Sequence, residues 1–231
     1  MFKIAATKSN IALCIALLFH ISGAIGILCT PYAGWFIRHT AFNLYLMALL
    51  LIWVQPAKNI FFFLFLLLAF ITGMGTEMIG VNTGKLFGSY AYGEVLGTKF
   101  NRVPVLIGIN WFVIAYCSSM ILQTLHNWIE EKYLAETVRL SSSVQAISFI
   151  IDAALLATFF DWVMEPAAVK LGFWKWLCDG AIPTYNYTCW FLISAALAAA
   201  FRWFPFTKHN QFAVHLFIIQ LLFFLLLRTF L

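Results

Sequence analysis

The sequence predicts an all-α fold, a polytopic bundle of helices in a membrane, and three observations carry that prediction. Hydrophobic residues make up 63% of the 231 residues and charged ones 10%, against about 25% charged in an ordinary soluble domain. The apolar residues come in runs of about 20, the length a helix needs to cross the hydrocarbon core of a bilayer. Polar, proline-bearing breaks separate the runs. Pro31, Pro56, Pro104, Pro166, Pro183 and Pro205 all read as lying at or between helix ends, where a residue without an amide hydrogen is tolerated.

About seven transmembrane helices follow in order, near 10–30, 39–55, 59–80, 104–125, 144–164, 187–204 and 209–228. The first opens behind Lys3 and Lys8. Its run from Ile11 to Cys29 exceeds the apolar core of a signal peptide and no A-x-A cleavage site follows, so it reads as a span. The second lies between "TPYAGWFIRH" and "QPAK". The third begins "NIFFFLFLLLAF" and ends near Glu77. The fourth starts at Pro104, and the fifth follows "HNWIEEKYLAETVRLSSS" and ends at "FFDWVMEPAA". The sixth follows the Trp-rich segment 166–186, and the seventh follows "FPFTKHN".

Segment 82–103, between spans 3 and 4, is expected to be an ordered re-entrant or interfacial piece rather than a solvated loop. Long structureless connections are unusual in compact bundles, and non-helical backbone at membrane depth must be surrounded by protein or a cavity. Phe87, Tyr90 and Tyr92 are spaced for one side of a short helix. Gly84, Gly88, Gly93 and Gly97 permit close packing. The whole chain, 1–231, reads as a single integral membrane domain. Its fourteen Lys and Arg residues divide evenly between the two sides, so the positive-inside rule assigns no orientation.

Several function classes fall away. The net charge of +5 is scattered singly, which offers no nucleic-acid surface. The five cysteines, at 14, 29, 117, 178 and 189, form no CxxC and read as small buried hydrophobes. His20 and His215 stand inside spans without HxxH or HxxxH spacing and read as hydrogen-bonded core residues. There is no dinucleotide fingerprint and no P-loop. "DWVME" has the acidic spacing of a prenyl-diphosphate magnesium site but lacks a second acidic loop. The expectation is cofactor-free acid–base chemistry, with no metal, on a lipid-soluble substrate.

The acids carry that expectation. Intramembrane carboxyls are expensive and functional by default, the alternative being a structural acid paired with a cation or a helix break. If spans alternate, Glu77 lies near the end of span 3 on the same side as Asp161 and Glu165 at the end of span 5. Asp161 and Glu165 are four apart and share a helix face if the helix reaches that far. Pro166 biases Glu165 away from helical geometry, so Glu165 is expected to cap the span. Asp152 lies half a turn out of phase with Asp161 and need not share its pocket. On the same side fall Asn82, Thr83, Tyr90, Tyr92, Asn110, Trp111, Trp174, Trp176 and Asn186, the candidate substrate-binding residues.

The stretches "TEMIGVNTGKLFGSYAYGEVLGTKFNRVPVLIGINW" and "DWVMEPAAVKLGFWKWLCDGAIPTYNYTCWF" resemble the membrane family of carotenoid biosynthesis that includes bisanhydrobacterioruberin hydratase and the CruF-type carotenoid hydratases. The resemblance is clearest over 71–125 and 150–195. Many members carry Asp where this chain has Glu165, which keeps a carboxylate, and a glycine-rich turn where it has "DGAIPTYNY". The resemblance implies addition of water across the terminal C=C of an acyclic, lycopene- or γ-carotene-like end group, without a cofactor, in the cytoplasmic membrane of a bacterium.

The residues fit that chemistry. Protonating a trisubstituted alkene needs a carboxylic acid that keeps its proton near neutral pH, which an apolar setting favours. The tertiary cation is held by aromatic faces, and a second carboxylate or amide places the water. Glu77 is expected to be the proton donor, with Asp161 placing water and Asp152 and Glu165 as further candidate catalytic acids. Two other readings compete: a cofactor-free end-group cyclase or isomerase, and a non-enzymatic carotenoid or lipid carrier in which the acids are structural.

Overall fold

The computed structural model describes residues 7–134, 141–178 and 180–231. Lys3, Arg139 and Asp179, which entered the charge count or the 166–186 segment, lie outside the described residues. Helices occupy all seven apolar segments: α1 (Lys8–Cys29), α3 (Thr40–Val54), α4 (Ile60–Thr83), α5 (Val105–Ile129), α6 (Ser142–Lys170), α7 (Thr184–Trp203) and α8 (Gln211–Phe230). A short helix, α2 (Ala33–Arg38), fills the first break, and one π turn, Glu130–Leu134, extends α5. Side-chain caps fix several starts. Thr7, Asn59, Ser141 and Asn210 each accept a hydrogen bond from the amide three residues on, satisfying donors that no helix partner reaches.

Five of these helices, α1, α4, α5, α6 and α8, are long and apolar enough to cross a membrane. At 15 residues α3 is apolar but short, about 22 Å against roughly 30 Å of hydrocarbon. The α7 helix has 20 residues, but Thr184, Tyr185, Asn186, Tyr187 and Thr188 at its start and Arg202 near its end dilute its apolarity.

The α5 helix is the centre of the bundle. Its most apolar stretch is 78% buried, against 28–39% in the other four long helices. It packs on α4, α6, α7 and α8, α6 packs on α7, and α1 packs on α8. At one end of the bundle Asn210 and Gln55 form a polar network with Tyr116 of α5. The Asn210 amide donates to Tyr116 Oη at 3.2 Å, Tyr116 donates to Gln55 Oε1, and Gln55 donates to the Thr207 carbonyl at 2.7 Å.

Two departures from the sequence reading concern the breaks. Segment 82–103 is not built on a short helix. It carries β1 (Tyr90–Tyr92), β2 (Lys99–Phe100) and β3 (Val103–Pro104). The β2–β3 hairpin turns on Asn101 and Arg102, both with positive φ, 47° and 70°, the backbone of a type I′ turn. The β1 strand pairs antiparallel with β4 (Trp174–Trp176), which lies beyond α6.

The second departure is Pro166. The α6 helix does not end there but continues to Lys170, so Glu165 is an interior helical residue and not a cap. A proline leaves the carbonyl four residues back without its amide partner. That carbonyl belongs to Trp162, and the Arg228 guanidinium donates to it at 2.7 Å while lying 4.0 Å from the Trp162 ring. The end of α8 thus completes the hydrogen bonding of α6. We expect Arg228→Met to lower unfolding stability by about 1 kcal/mol, and to cost measurably less in a Pro166→Ala background, where the substituted residue supplies the missing amide. Thermal unfolding of the four proteins in detergent checks this, and equal costs in both backgrounds would rule the coupling out.

Candidate active site

Three carboxyls from two helices meet in one chamber. Glu77 sits near the end of α4, and Asp161 and Glu165 lie one turn apart near the end of α6; all three are buried, at 5%, 1% and 2% exposure. Helix periodicity puts Asp161 and Glu165 on the same stripe, and continuation of α6 past Pro166 keeps them there. The chamber is also lined by Tyr90, Tyr92, Asn110, Trp111, Trp174, Trp176 and Asn186, and by Phe87, Ile107, Met164 and Trp190.

The β1–β4 ribbon supplies most of the hydrogen-bond donors. Successive strand residues point to opposite faces, so Tyr90 and Tyr92 project together, as do Trp174 and Trp176. The register sets Tyr90 opposite Trp176 and Tyr92 opposite Trp174, with ring centroids 5.3 and 5.9 Å apart. The two phenols donate to Glu77 Oε2 at 2.5 and 2.7 Å. The two indole N–H groups donate to Glu165 Oε1 at 2.7 and 2.6 Å. Burial, with the Glu77 carboxylate beside them, pushes both phenols well above the ordinary tyrosine range, so each remains a donor.

A third donor reaches Glu77 from α5: Trp111 Nε1 lies 3.1 Å from Oε1. Its indole stacks on Trp190 of α7, with centroids 4.0 Å apart and planes at 14°. The Asp161 carboxyl is treated differently. Asn186 donates to its Oδ2 at 2.8 Å, while Oδ1 is buried with no hydrogen-bond partner among the described residues. The chamber itself is small, with about 30 Å³ of free volume, room for one or two waters.

Backbone details hold the ribbon in place. Gly84 ends α4 in the left-handed conformation, φ 67°, which glycine adopts without strain. Gly93 follows β1 and donates its amide to the Phe173 carbonyl at 2.8 Å. A Cβ there would lie 2.1 Å from the Gly172 carbonyl oxygen. Phe87 holds φ 64°, unusual for a bulky residue; its amide meets Cys189 Sγ at 3.4 Å and its ring packs against Trp111 and Tyr90.

Three of the sequence-derived candidates lie elsewhere. Asn82 and Thr83 are exposed and bond back to the Met78 and Ile79 carbonyls of their own helix. At 100° per residue they are turned about 140° and 120° from Glu77, off the chamber face. Asp152 accepts from Ser148 at 2.9 Å and lies 4.0 Å from His126 Nε2, outside the chamber, as its phase predicts. Trp190, which the candidate set omits, is one turn beyond Asn186 on α7, a spacing that marks it for the same face. Ile107, three and four residues before Asn110 and Trp111, and Met164, three beyond Asp161, carry the same helical spacing, and Phe87 shares its segment with Tyr90 and Tyr92. Among the described residues no three His, Cys, Asp or Glu side chains are grouped to hold a metal ion.

Comparison with known proteins gives this geometry a context. The carotenoid biosynthesis protein family model matches residues 39–231, which includes every chamber residue. The chain belongs to that family. The bisanhydrobacterioruberin hydratase of Haloarcula japonica is 27% identical over 137 residues, covering 58% of this chain and 42% of that protein. The chain thus matches less than half the length of this relative. No solved structure matches.

Because the ribbon seats at Gly93, we expect Gly93→Ala to force β1 from β4 and destabilise the protein by about 1–3 kcal/mol, as overpacking does. Thermal unfolding in detergent, followed by the emission of the tryptophans that β4 carries, checks this. A variant as stable as wild type would show that the close approach is not required.

Proposed function

We propose that this protein is a carotenoid hydratase of seven membrane spans, with α3 and α7 completing the five long apolar helices, in the cytoplasmic membrane of a bacterium. It adds water to the terminal C=C of an acyclic, lycopene- or γ-carotene-like end group. The family supports a carotenoid substrate and the name of the Haloarcula relative supports hydration. The observation that carries the chemistry is the unequal hydrogen bonding of the buried carboxyls.

Glu77 accepts three bonds spread over both of its oxygens, and Glu165 accepts two, both on Oε1. Asp161 accepts only one, on Oδ2, and its Oδ1 is buried with no partner among the described residues, which leaves that oxygen for substrate or water. In this reading the role of proton donor, which the sequence suggested for Glu77, falls to Asp161. The Asp161 carboxyl gives its proton to the less substituted alkene carbon, and the π electrons form the new C–H bond. The tertiary cation left on the neighbouring carbon is held by the Trp111, Trp190, Tyr90 and Trp176 faces and by the negative charge of the Glu77 carboxylate. A water in the chamber adds its oxygen to the cation, and its proton returns to Asp161. Atoms and charge balance, with water the only co-reactant. The free volume holds water but not an end group as well, so entry of the substrate must part the walls. Met164, unbranched and adaptable, is the wall residue best suited to yield.

Expression in a lycopene-producing bacterium, with mass analysis of the pigments, tests this. Wild type should yield pigment heavier by one or two waters. Asp161→Asn should abolish it, Glu77→Gln should reduce it more than tenfold, and Asp152→Asn should leave it near wild type. An Asp161→Asn variant that keeps more than about a tenth of the rate would remove Asp161 as general acid. Pigment of unchanged mass but altered spectrum would point to a cyclase or isomerase instead.

A further inference from the structure

A second cavity, of about 390 Å³, lies between α1, α3 and α8 and shares no lining residue with the carboxyl chamber. Its size falls within the roughly 300–1,000 Å³ typical of small-molecule sites. Exposed Trp35 and Phe42 edge its mouth, and α1 and α8, which supply much of its wall, are apolar helices of membrane-spanning length. What enters it comes from the lipid phase.

The interior is not wholly apolar. Gln220 is 3% exposed, lines the cavity and has no hydrogen-bond partner among the described residues. The Oδ1 atom of Asn43 is buried and has no partner among the described residues either. His20 is 5% exposed, and its Nδ1 lies 2.8 Å from the Ala16 carbonyl. A carbonyl only accepts, so Nδ1 carries the hydrogen and Nε2 of the neutral ring is an acceptor. Buried polar groups are ordinarily paired. Here three residues that line an apolar space carry two acceptors and an amide without partners among the described residues, and the complement they lack is a small group that donates and accepts. We propose that this cavity binds a lipid-phase apolar chain through a terminal hydroxyl. A hydrated carotenoid end and a long-chain membrane alcohol share that chemistry.

Binding is read without turnover, so the proposal stands or falls apart from the hydratase reading. The probe is all-trans-retinol, a fluorescent polyene alcohol, titrated into purified protein in detergent. Wild type should bind it saturably and gain thermal stability. Retinyl acetate, which lacks the hydroxyl, should bind about tenfold more weakly. Asn43→Leu and Gln220→Leu should each weaken retinol several-fold without weakening retinyl acetate. Gly23→Leu should block both ligands, because Gly23 lines the cavity and a leucine side chain there would occupy its space. If Gly23→Leu does not fold, the Asn43 and Gln220 variants decide alone. Equal affinity for the alcohol and the ester, or retinol binding unchanged in the variants, overturns the proposal. Displacement of retinol by hydrated lycopene or by hexadecanol supports it and identifies the better source; displacement by neither overturns it.

Discussion

The pairing of β1 with β4 is the interaction on which the rest of the site depends. Two three-residue strands, from connections on either side of α5 and α6, meet in a register that sends Tyr90 and Tyr92 to one carboxyl and Trp174 and Trp176 to another. A buried carboxylate without donors is costly by several kcal/mol. Two short strands alone are marginally stable. Each solves the other's problem: the acids give the ribbon four polar anchors, and the ribbon gives the acids the donors that make their burial tolerable. Gly93, pressed against the Gly172 carbonyl, marks how closely the two backbones must approach.

From that constraint comes the asymmetry among the acids. Glu77 and Glu165 are bound into the wall, while Asp161, one turn from Glu165, keeps a buried oxygen that no protein group engages among the described residues. The same helix delivers both roles because α6 runs unbroken through Pro166, and it does so with help from Arg228 at the end of α8. A distant cation thereby supports the segment that carries two of the three carboxyls. The stacked Trp111–Trp190 pair ties α5 to α7 across the chamber, so four helices and one ribbon fix the geometry.

The helices were legible in the sequence because a bilayer imposes a length and a composition that need no tertiary information. The chamber was legible through alternation of helix direction, which brings Glu77, Asp161, Glu165, Trp111 and Asn186 to one end. What escaped has physical reasons. Tyr90 and Tyr92 are two apart, a strand period, but no alternating run surrounds so short a strand, and its partner lies more than eighty residues away. Pro166 ordinarily ends a helix, and the compensating Arg228 is visible only in three dimensions. Asn82 and Thr83 belong to the most recognisable motif in the chain, yet their phase on α4 turns them from Glu77. The hydrogen bonds that distinguish Asp161 from Glu77 depend on tertiary contacts that spacing does not reveal.

The central claim is that a fixed protein acid and a water in the chamber add across one C=C bond. The most direct measurement is the isotopic content of the alcohol made by purified protein from an acyclic carotenoid. In H₂¹⁸O the product should carry ¹⁸O in its new hydroxyl. In D₂O it should carry one deuterium on the adjacent carbon, delivered to a single face because the donor is held in place. Oxygen drawn from O₂ instead of water, or deuterium distributed equally over both faces, would contradict the account.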